Sequence, residues 1–218
     1  MAYFSIAVDG PAGAGKSTIA RAVAAKLGFI YVDTGAMYRA MALYLLKQGI
    51  GREEETAIKD ACRQAEITIR YEDGAQQVIL NGENVSSKIR TEEVGNMASA
   101  TSIYLPVREK LVQLQQKLAE SANVRGMARE QSVIMDGRDI GTCVLPEAQA
   151  KIYLTASPAV RAKRRYDELK EKGMACNLEE IEQDIIERDY RDMHREHSPL
   201  VQAEDAVLVD SSSMTVDQ

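Results

Sequence analysis

Histidine and cysteine are scarce in this chain, basic residues are outnumbered, and no long apolar run occurs. The two histidines, His194 and His197, have a helix-like spacing but no third ligand or nucleophile near them in sequence, so neither is assigned a catalytic or zinc-binding role. Cys62, Cys143 and Cys176 are odd in number and far apart, which argues against a disulfide framework or a zinc site and for a reducing, cytoplasmic setting. The 27 Lys and Arg face 33 Asp and Glu, for a formal charge of −6, and no extended basic run is present. General nucleic-acid or membrane-surface binding needs a wide positive field and is excluded on that ground. Any anion must be held by local arginine clusters. No segment is apolar over the length of a bilayer, and Met1-Ala2-Tyr3 leads into the first strand without the pattern of a secretory leader. Internal repeats, low-complexity tracts and flexible linkers are also missing. What is present, 218 residues with 45% hydrophobic content, is enough to bury a full core as one domain with an insertion or as two small ones.

The run Gly10-Pro11-Ala12-Gly13-Ala14-Gly15-Lys16-Ser17 follows the apolar segment Phe4 to Val8 and fits the phosphate-binding loop pattern. Its glycines let successive N–H groups turn inward, and the helix that follows adds its positive N-terminal end, so the loop can wrap a polyphosphate. Lys16 is expected to reach the β and γ phosphates and Ser17 to offer its hydroxyl to magnesium. Ile19, Val23 and Leu27 are spaced for one face of that helix, which ends at Gly28.

Short apolar runs at Phe4 to Val8, Phe29 to Val32, Val133 to Met135, Lys151 to Leu154 and Ala206 to Val209 alternate with helical patterns, which predicts a parallel α/β sheet. Ligands of such sheets bind beyond the C-terminal strand ends, where Gly10, Asp33, Asp136 and Thr155 fall. The interval from Glu66 to Arg90 breaks the rhythm. Ile67 to Tyr71 alternates, Asp73-Gly74 turns, Gln77 to Leu80 returns, and Asn81-Gly82 turns again. Turns this tight make an antiparallel sheet, read as an inserted subdomain between helices at Ala36 to Lys47 and Thr91 to Ile103. A further helix is expected from Pro106, with Leu111, Leu114 and Leu118 on one face. Met37, Met41, Met97 and Met135 are expected to fill core gaps.

Ser157-Pro158 is a helix start that brings Arg161, Arg164 and Arg165 to neighbouring positions, and Lys172-Gly173 marks its stop. These arginines suit either a solvated face paired with Asp167 and Glu168 or a mobile lid over a phosphate. Asn177 and Glu180 resemble a capping box, and the apolar stripe of Ile181 and Ile185 continues through Arg188, Asp192 and Arg195. Charges of both signs on an inward stripe suggest a cleft wall or a buried pair. Asp136-Gly137-Arg138-Asp139 sets an acid and a forked cation directly after a strand, either a magnesium and phosphate site or a polar turn capped by Asp139. Asp33-Thr34-Gly35-Ala36-Met37-Tyr38-Arg39 places a hydroxyl and an arginine at a helix start, which suits an anion or a simple cap with a solvated Arg39.

Together, the loop Gly10 to Thr18, the run Asp33 to Arg39, Asp136-Gly137-Arg138-Asp139-Ile140-Gly141-Thr142, and Arg188-Asp189 with Asp192 and Arg195 closely resemble the bacterial cytidylate kinases. The likeness runs over nearly the whole length and includes the inserted sheet, Ile89-Arg90-Thr91 and Pro199-Leu200. It implies a P-loop three-layer α/β fold with a central five-stranded parallel sheet, an inserted NMP-binding subdomain carrying a small antiparallel sheet, and a helical lid. The implied divisions are a core of about 1–35, 104–157 and 190–218, an NMP-binding insertion of about 36–103 and a lid of about 158–189.

The resemblance implies transfer of the γ-phosphoryl group of ATP to CMP or dCMP in pyrimidine nucleotide metabolism, by a cytoplasmic monomer with magnesium and without nucleic-acid or membrane partners. Gly10, Pro11, Ala12, Gly13, Ala14, Gly15, Lys16, Ser17 and Thr18 would hold ATP, and Ser17 and Asp136 the metal, directly or through water. Lys16, Arg138, Arg161, Arg164, Arg165 and Arg188 would carry the transfer. Thr34 and Arg39 would sit at the acceptor, with Arg39 and Arg138 at its phosphate; Ser99, Arg108 and Asp139 would read the cytosine; and Arg188, Asp192 and Arg195 would meet the sugar and phosphate. A carboxylate that takes the exocyclic amine of cytosine is unmet by uracil, so UMP should be rejected. Other P-loop kinases of the adenylate or UMP/CMP type are the enzyme alternatives. A nucleotide-driven switch is the alternative outside enzymes, but it would have no use for a second anion site and no Asn-Lys-x-Asp motif is present. Family members also add a C-terminal helix after Val207 to Asp210, where this sequence ends at Met214 to Gln218.

Overall fold

The computed structural model describes residues 4–72, 74–120 and 132–218. Met1-Ala2-Tyr3 and Asp73 of the expected Asp73-Gly74 turn lie outside the described residues. In chain order the elements are β1 (Ser5–Asp9), α1 (Lys16–Leu27), β2 (Ile30–Asp33), α2 (Thr34–Lys47), α3 (Glu55–Gln64), β3 (Ile67–Glu72), β4 (Ala75–Leu80) and β5 (Glu83–Asn84). A 3-10 turn at Lys88–Arg90 precedes α4 (Glu92–Thr101) and α5 (Leu105–Glu120). Then come β6 (Val133–Gly137), a π-helical turn at Ile140–Val144, β7 (Ala150–Thr155), α6 (Pro158–Glu171), α7 (Leu178–His194) and β8 (Val207–Asp210).

The five strands expected of the central parallel sheet all form, in the order β2-β6-β1-β7-β8. Ile6 lies opposite Ala150 and Val8 opposite Ile152, while Ile152 faces Val207 and Thr155 faces Asp210 on the next strand, all in parallel register. The strands β3, β4 and β5 make the separate antiparallel sheet, with Ile67 opposite Leu80 and Leu80 opposite Glu83. Among the described residues, no helix is long and apolar enough to cross a membrane.

The chain divides into two compact units, one spanning Ile30–Val133 and the other Phe4–Phe29 with Ile134–Gln218. The core of the first is built from Met37, Met41 and Leu45 of α2, Ile58 of α3, Ile67 and Leu80 of the small sheet, and Leu111 of α5. The alternation read in Ile67 to Tyr71 puts Ile67 and Ile69 inside and Thr68 and Arg70 outside, as a sheet with one wet face requires. Helix α3 has no counterpart among the sequence expectations. Ile58, Ala61 and Cys62 bury one narrow face in an otherwise charged stretch, so its apolar content is too small to stand out. Met37, Met41, Met97 and Met135 are all buried, as expected of flexible core fillers.

In the second unit, β1 is buried along its whole length, and helices α6 and α7 begin at their anticipated caps. The Ser157 hydroxyl accepts from Val160 N, and Asn177 Oδ1 accepts from Glu179 N. Glu180 reaches the side chain of Asn177 instead of closing a full capping box on its backbone. Arg195 is not helical: it is the C-cap of α7, with an extended ψ of 146°.

Candidate active site

The phosphate loop joins β1 to α1 through three glycines with positive φ. Gly10 has φ 143°, and a Cβ there would lie 1.9 Å from the Leu154 carbonyl oxygen, so only glycine fits. Gly13 and Gly15, at φ 76° and 90°, carry the chain round to the first turn of α1, where Thr18 N and Ile19 N both donate to Gly15 O. Lys16 is buried and its Nζ donates to Pro11 O at 2.7 Å, folding the ammonium back over the loop. Burial, followed by Arg138, pulls its pKa well below the ordinary lysine value against the opposing effect of Asp136 and Asp9.

Ser17 Oγ donates to Asp136 Oδ2 at 2.6 Å. Parallel strands deliver this pair: α1 starts beyond the end of β1, and Asp136 sits near the end of β6. The result is a hydroxyl and a carboxylate side by side at the mouth of the loop, two hard oxygen donors of the kind magnesium takes. Among the described residues, no group of three or more His, Cys, Asp or Glu side chains could hold a metal by itself. Waters and phosphate oxygens would complete such a coordination shell.

The cationic cluster of the second unit lies on the chain from β6 into the π-helical turn and on α7. Arg138 Nε donates to Asp192 Oδ2 at 2.9 Å, and Arg195 Nη1 stands 3.9 Å from Asp192 Oδ1. Burial would raise the Asp192 pKa, but Arg138, Arg188 and Arg195 outweigh it and hold the carboxyl below its usual range. The C-cap position of Arg195 matters here, because its Nε donates to Ser198 O and the chain turns so that Leu200 N donates back to Asp192 O. The polar continuation of the α7 stripe is therefore a buried charge network, and Asp189 belongs to it as well. Asp139 is buried at the N-terminal side of the π-helical turn.

The three arginines of α6 separate. Arg161 is buried and bonded to Asp189, Ala156 O and Ala12 O. Arg164 reaches Ser211, and Arg165 pairs with Glu168, both at the surface.

In the first unit, Thr34 opens α2 and is buried, and Asp33 caps that helix by accepting from Ala36 N at 3.0 Å. The same carboxylate accepts from Arg90 Nη2 at 2.8 Å. Gln76 of the small sheet forms a two-way amide clamp on the Asp33 backbone, at 2.8 and 3.1 Å, and Tyr71 Oη donates to Tyr31 O. Arg39 Nη1 donates to Ile89 O and Thr91 O, and it crosses so close to α4 that a Cβ on Gly95 would lie 2.9 Å away. Arg108 is buried, donates to Ser102 O and stands 5.7 Å from the centre of the Tyr38 ring. Ser99, half-buried on α4, accepts from the Ser102 hydroxyl through its carbonyl.

Two residues of this environment carry no role from the sequence: Asp9, and Asp189, which the Arg188-Asp189 motif includes without assigning it one. An acid as the last residue of a buried strand, directly before the first glycine of the loop, is the signal that marks Asp9. Asp189 is marked by its place on the α7 stripe between Arg188 and Asp192.

A strand, a glycine loop with its lysine on a helix start, and a Ser–Asp pair at the loop mouth define a P-loop nucleotide-binding protein. The cytidylate kinase family model matches residues 6–218, and the chain belongs to that family. It is 48% identical over 213 residues to a cytidylate kinase of Lactobacillus gasseri, covering 98% of this chain and 89% of the relative. It is likewise 48% identical to one from Leuconostoc mesenteroides, with 100% and 93% covered, and 47% identical to one from Caldicellulosiruptor bescii, with 100% and 92% covered. Among solved structures, a gluconokinase from Sinorhizobium meliloti aligns with a TM-score of 0.45 at 15% identity over 98% of this chain and 85% of that one, too loose a likeness to bear on function.

Proposed function

We infer that this chain transfers the γ-phosphoryl group of ATP to CMP or dCMP, giving ADP and CDP or dCDP. The observation that carries the reading is the juxtaposition, within one compact unit, of the Lys16 loop and the arginine cluster of Arg138, Arg188, Asp192 and Arg195. A loop for the donor beside a second anion site is what a transfer between two phosphates requires. The acceptor attacks through a phosphate oxygen that is already ionised, so no strong general base is needed, and alignment and charge neutralisation supply the rate.

In this reading residues Gly10 to Thr18 hold the ATP phosphates, and Lys16 leaves Pro11 O for the β and γ oxygens. Ser17 and Asp136 hold magnesium, directly or through water, and the metal neutralises phosphate charge when bound. Arg138 and Arg39 take the acceptor phosphate, with Thr34 beside it. Arg188, Asp192 and Arg195 meet its sugar and phosphate, and Ser99, Arg108 and Asp139 read the base. The arginines of α6 neutralise the transferring group. The insertion of about 36–103 and the lid of about 158–189 then cover acceptor and donor, and the enzyme works as a cytoplasmic monomer.

A coupled ADP-release assay over CMP, dCMP, UMP and AMP with ATP and magnesium tests the reading. CMP and dCMP should be turned over well and the other two poorly; turnover of AMP at or above the CMP rate would overturn it.

A further inference from the structure

Asp9, the last residue of β1, is buried at 5% exposure immediately before the phosphate loop. Its carboxylate grips the far side of the acceptor segment: Oδ1 accepts from Ile140 N at 2.8 Å and Oδ2 from Gly141 N at 2.7 Å. These are the first two amides of the π-helical turn that follows Arg138 and Asp139, and both bonds are charge-assisted. The fit leaves no slack, since a Cβ on Gly141 would stand 3.3 Å from Asp9 Oδ2 and 3.2 Å from Lys151 Cδ.

We propose that Asp9 is a positioning residue that fixes the Arg138-Asp139 segment relative to the phosphate loop, so that acceptor and donor sites keep one spacing. The inference rests on the assignment of Arg138 and Asp139 to the nucleotide acceptor. Asp9 touches neither substrate in this arrangement; it acts through the backbone of the turn. A carboxylate is the side chain suited to the task, because it can accept two converging N–H groups at once, whereas an amide in its place would turn a donor toward one of them.

The decisive measurement compares Asp9→Asn, Gly141→Ala and Asp139→Asn by steady-state kinetics, with CMP binding by calorimetry and thermal unfolding alongside. Asp9→Asn is expected to raise KM and Kd for CMP by about tenfold or more while KM for ATP stays within about threefold, a split that loss of stability alone would not produce. Gly141→Ala pushes the same turn from the other side and should give the same split; it carries the test if Asp9→Asn does not fold. An Asp9→Asn enzyme with CMP parameters within twofold of the parent overturns the proposal, as does an equal rise in both KM values with a lower Tm. If Asp139→Asn weakens CMP while Asp9→Asn and Gly141→Ala do not, the positioning role alone has failed. If Asp139→Asn leaves CMP binding intact, the acceptor assignment has failed and the positioning role falls with it.

Discussion

Arg161 and Asp189 form a buried ion pair, with Nη2 donating to Oδ2 at 2.5 Å and the arginine 2% exposed. The same guanidinium donates through Nε to Ala156 O and through Nη1 to Ala12 O. One side chain therefore ties α6 to α7 and both to the phosphate loop. Gly13 lies directly against it, where a Cβ would stand 3.4 Å from Arg161 Cβ.

Removing one member of such a pair leaves a buried charge without compensation, which costs far more than the pair contributes against an apolar substitute. Asp189→Asn should lower the unfolding free energy by about 3 kcal/mol, read by urea denaturation. Arg165→Ala, which breaks an exposed pair with Glu168, should change it by less than about 1 kcal/mol. Equal losses in the two variants would show that Arg161 and Asp189 do not form a structural joint.

Lys16 supplies a second expectation. Its ammonium is buried against Pro11 O with Arg138 and Arg188 near enough to disfavour its charge, an arrangement that costs energy until a polyphosphate enters. Lys16→Ala should reduce kcat by at least about a hundredfold in the CMP assay while leaving the fold intact by circular dichroism. Turnover near that of the parent would remove the loop lysine from the reaction.

Much of this arrangement was legible in the sequence because local patterns carry it. The five strands of the central sheet, the glycine loop, the Asn81-Gly82 turn of the inserted sheet and the Ser157 cap each follow from a few neighbouring residues. What escaped depends on distant partners. The pattern of α6 puts Arg161, Arg164 and Arg165 together, yet only Arg161 is buried, because only it meets Asp189 and Ala12. The run Asp136 to Asp139 suits a turn or a phosphate site in sequence, but nothing local shows the π-helical turn after it, whose first amides are held by Asp9, 131 residues away from Ile140. The spacing of Arg188, Asp192 and Arg195 correctly marks an inward stripe, and the end of the helix at Arg195 is set by Ser198 and Leu200 doubling back.

The Asp9 carboxylate sets a pH dependence with a definite sign. Burial lifts its pKa to about 6, against the lowering effect of the Gly141 and Ile140 amides. Asp139 adds to the rise and Lys16 opposes it; Tyr153 of β7 feels the same carboxylate, and Lys151 of β7 lies against Gly141. A carboxyl with a higher pKa folded than unfolded binds its proton more tightly in the native state. Its contribution to stability is therefore full below the unfolded value near 4 and is lost as pH rises through about 6. Asp9→Asn should remove this contribution, on the order of a few kcal/mol, so the stability of the parent relative to the variant should fall between pH 4 and pH 7. Urea melts of both proteins across that range measure the difference directly. A constant gap would contradict the raised pKa.

Base recognition gives a final expectation from the first unit. Arg108 is held by Ser102 O on one side and by the face of Tyr38 on the other, with 5.7 Å from Cζ to the ring centre. A buried guanidinium over an aromatic ring gains about 1 to 2 kcal/mol, and the ring also fixes the plane in which its donors point. If Arg108 reads the cytosine, Tyr38→Leu should raise KM for CMP by about five- to tenfold and narrow the preference over UMP. Tyr38→Phe keeps the π face and should retain most of that preference. Competition assays with CMP and UMP at equal concentration separate the two variants, and an unchanged CMP-to-UMP ratio in Tyr38→Leu would detach the ring from base selection.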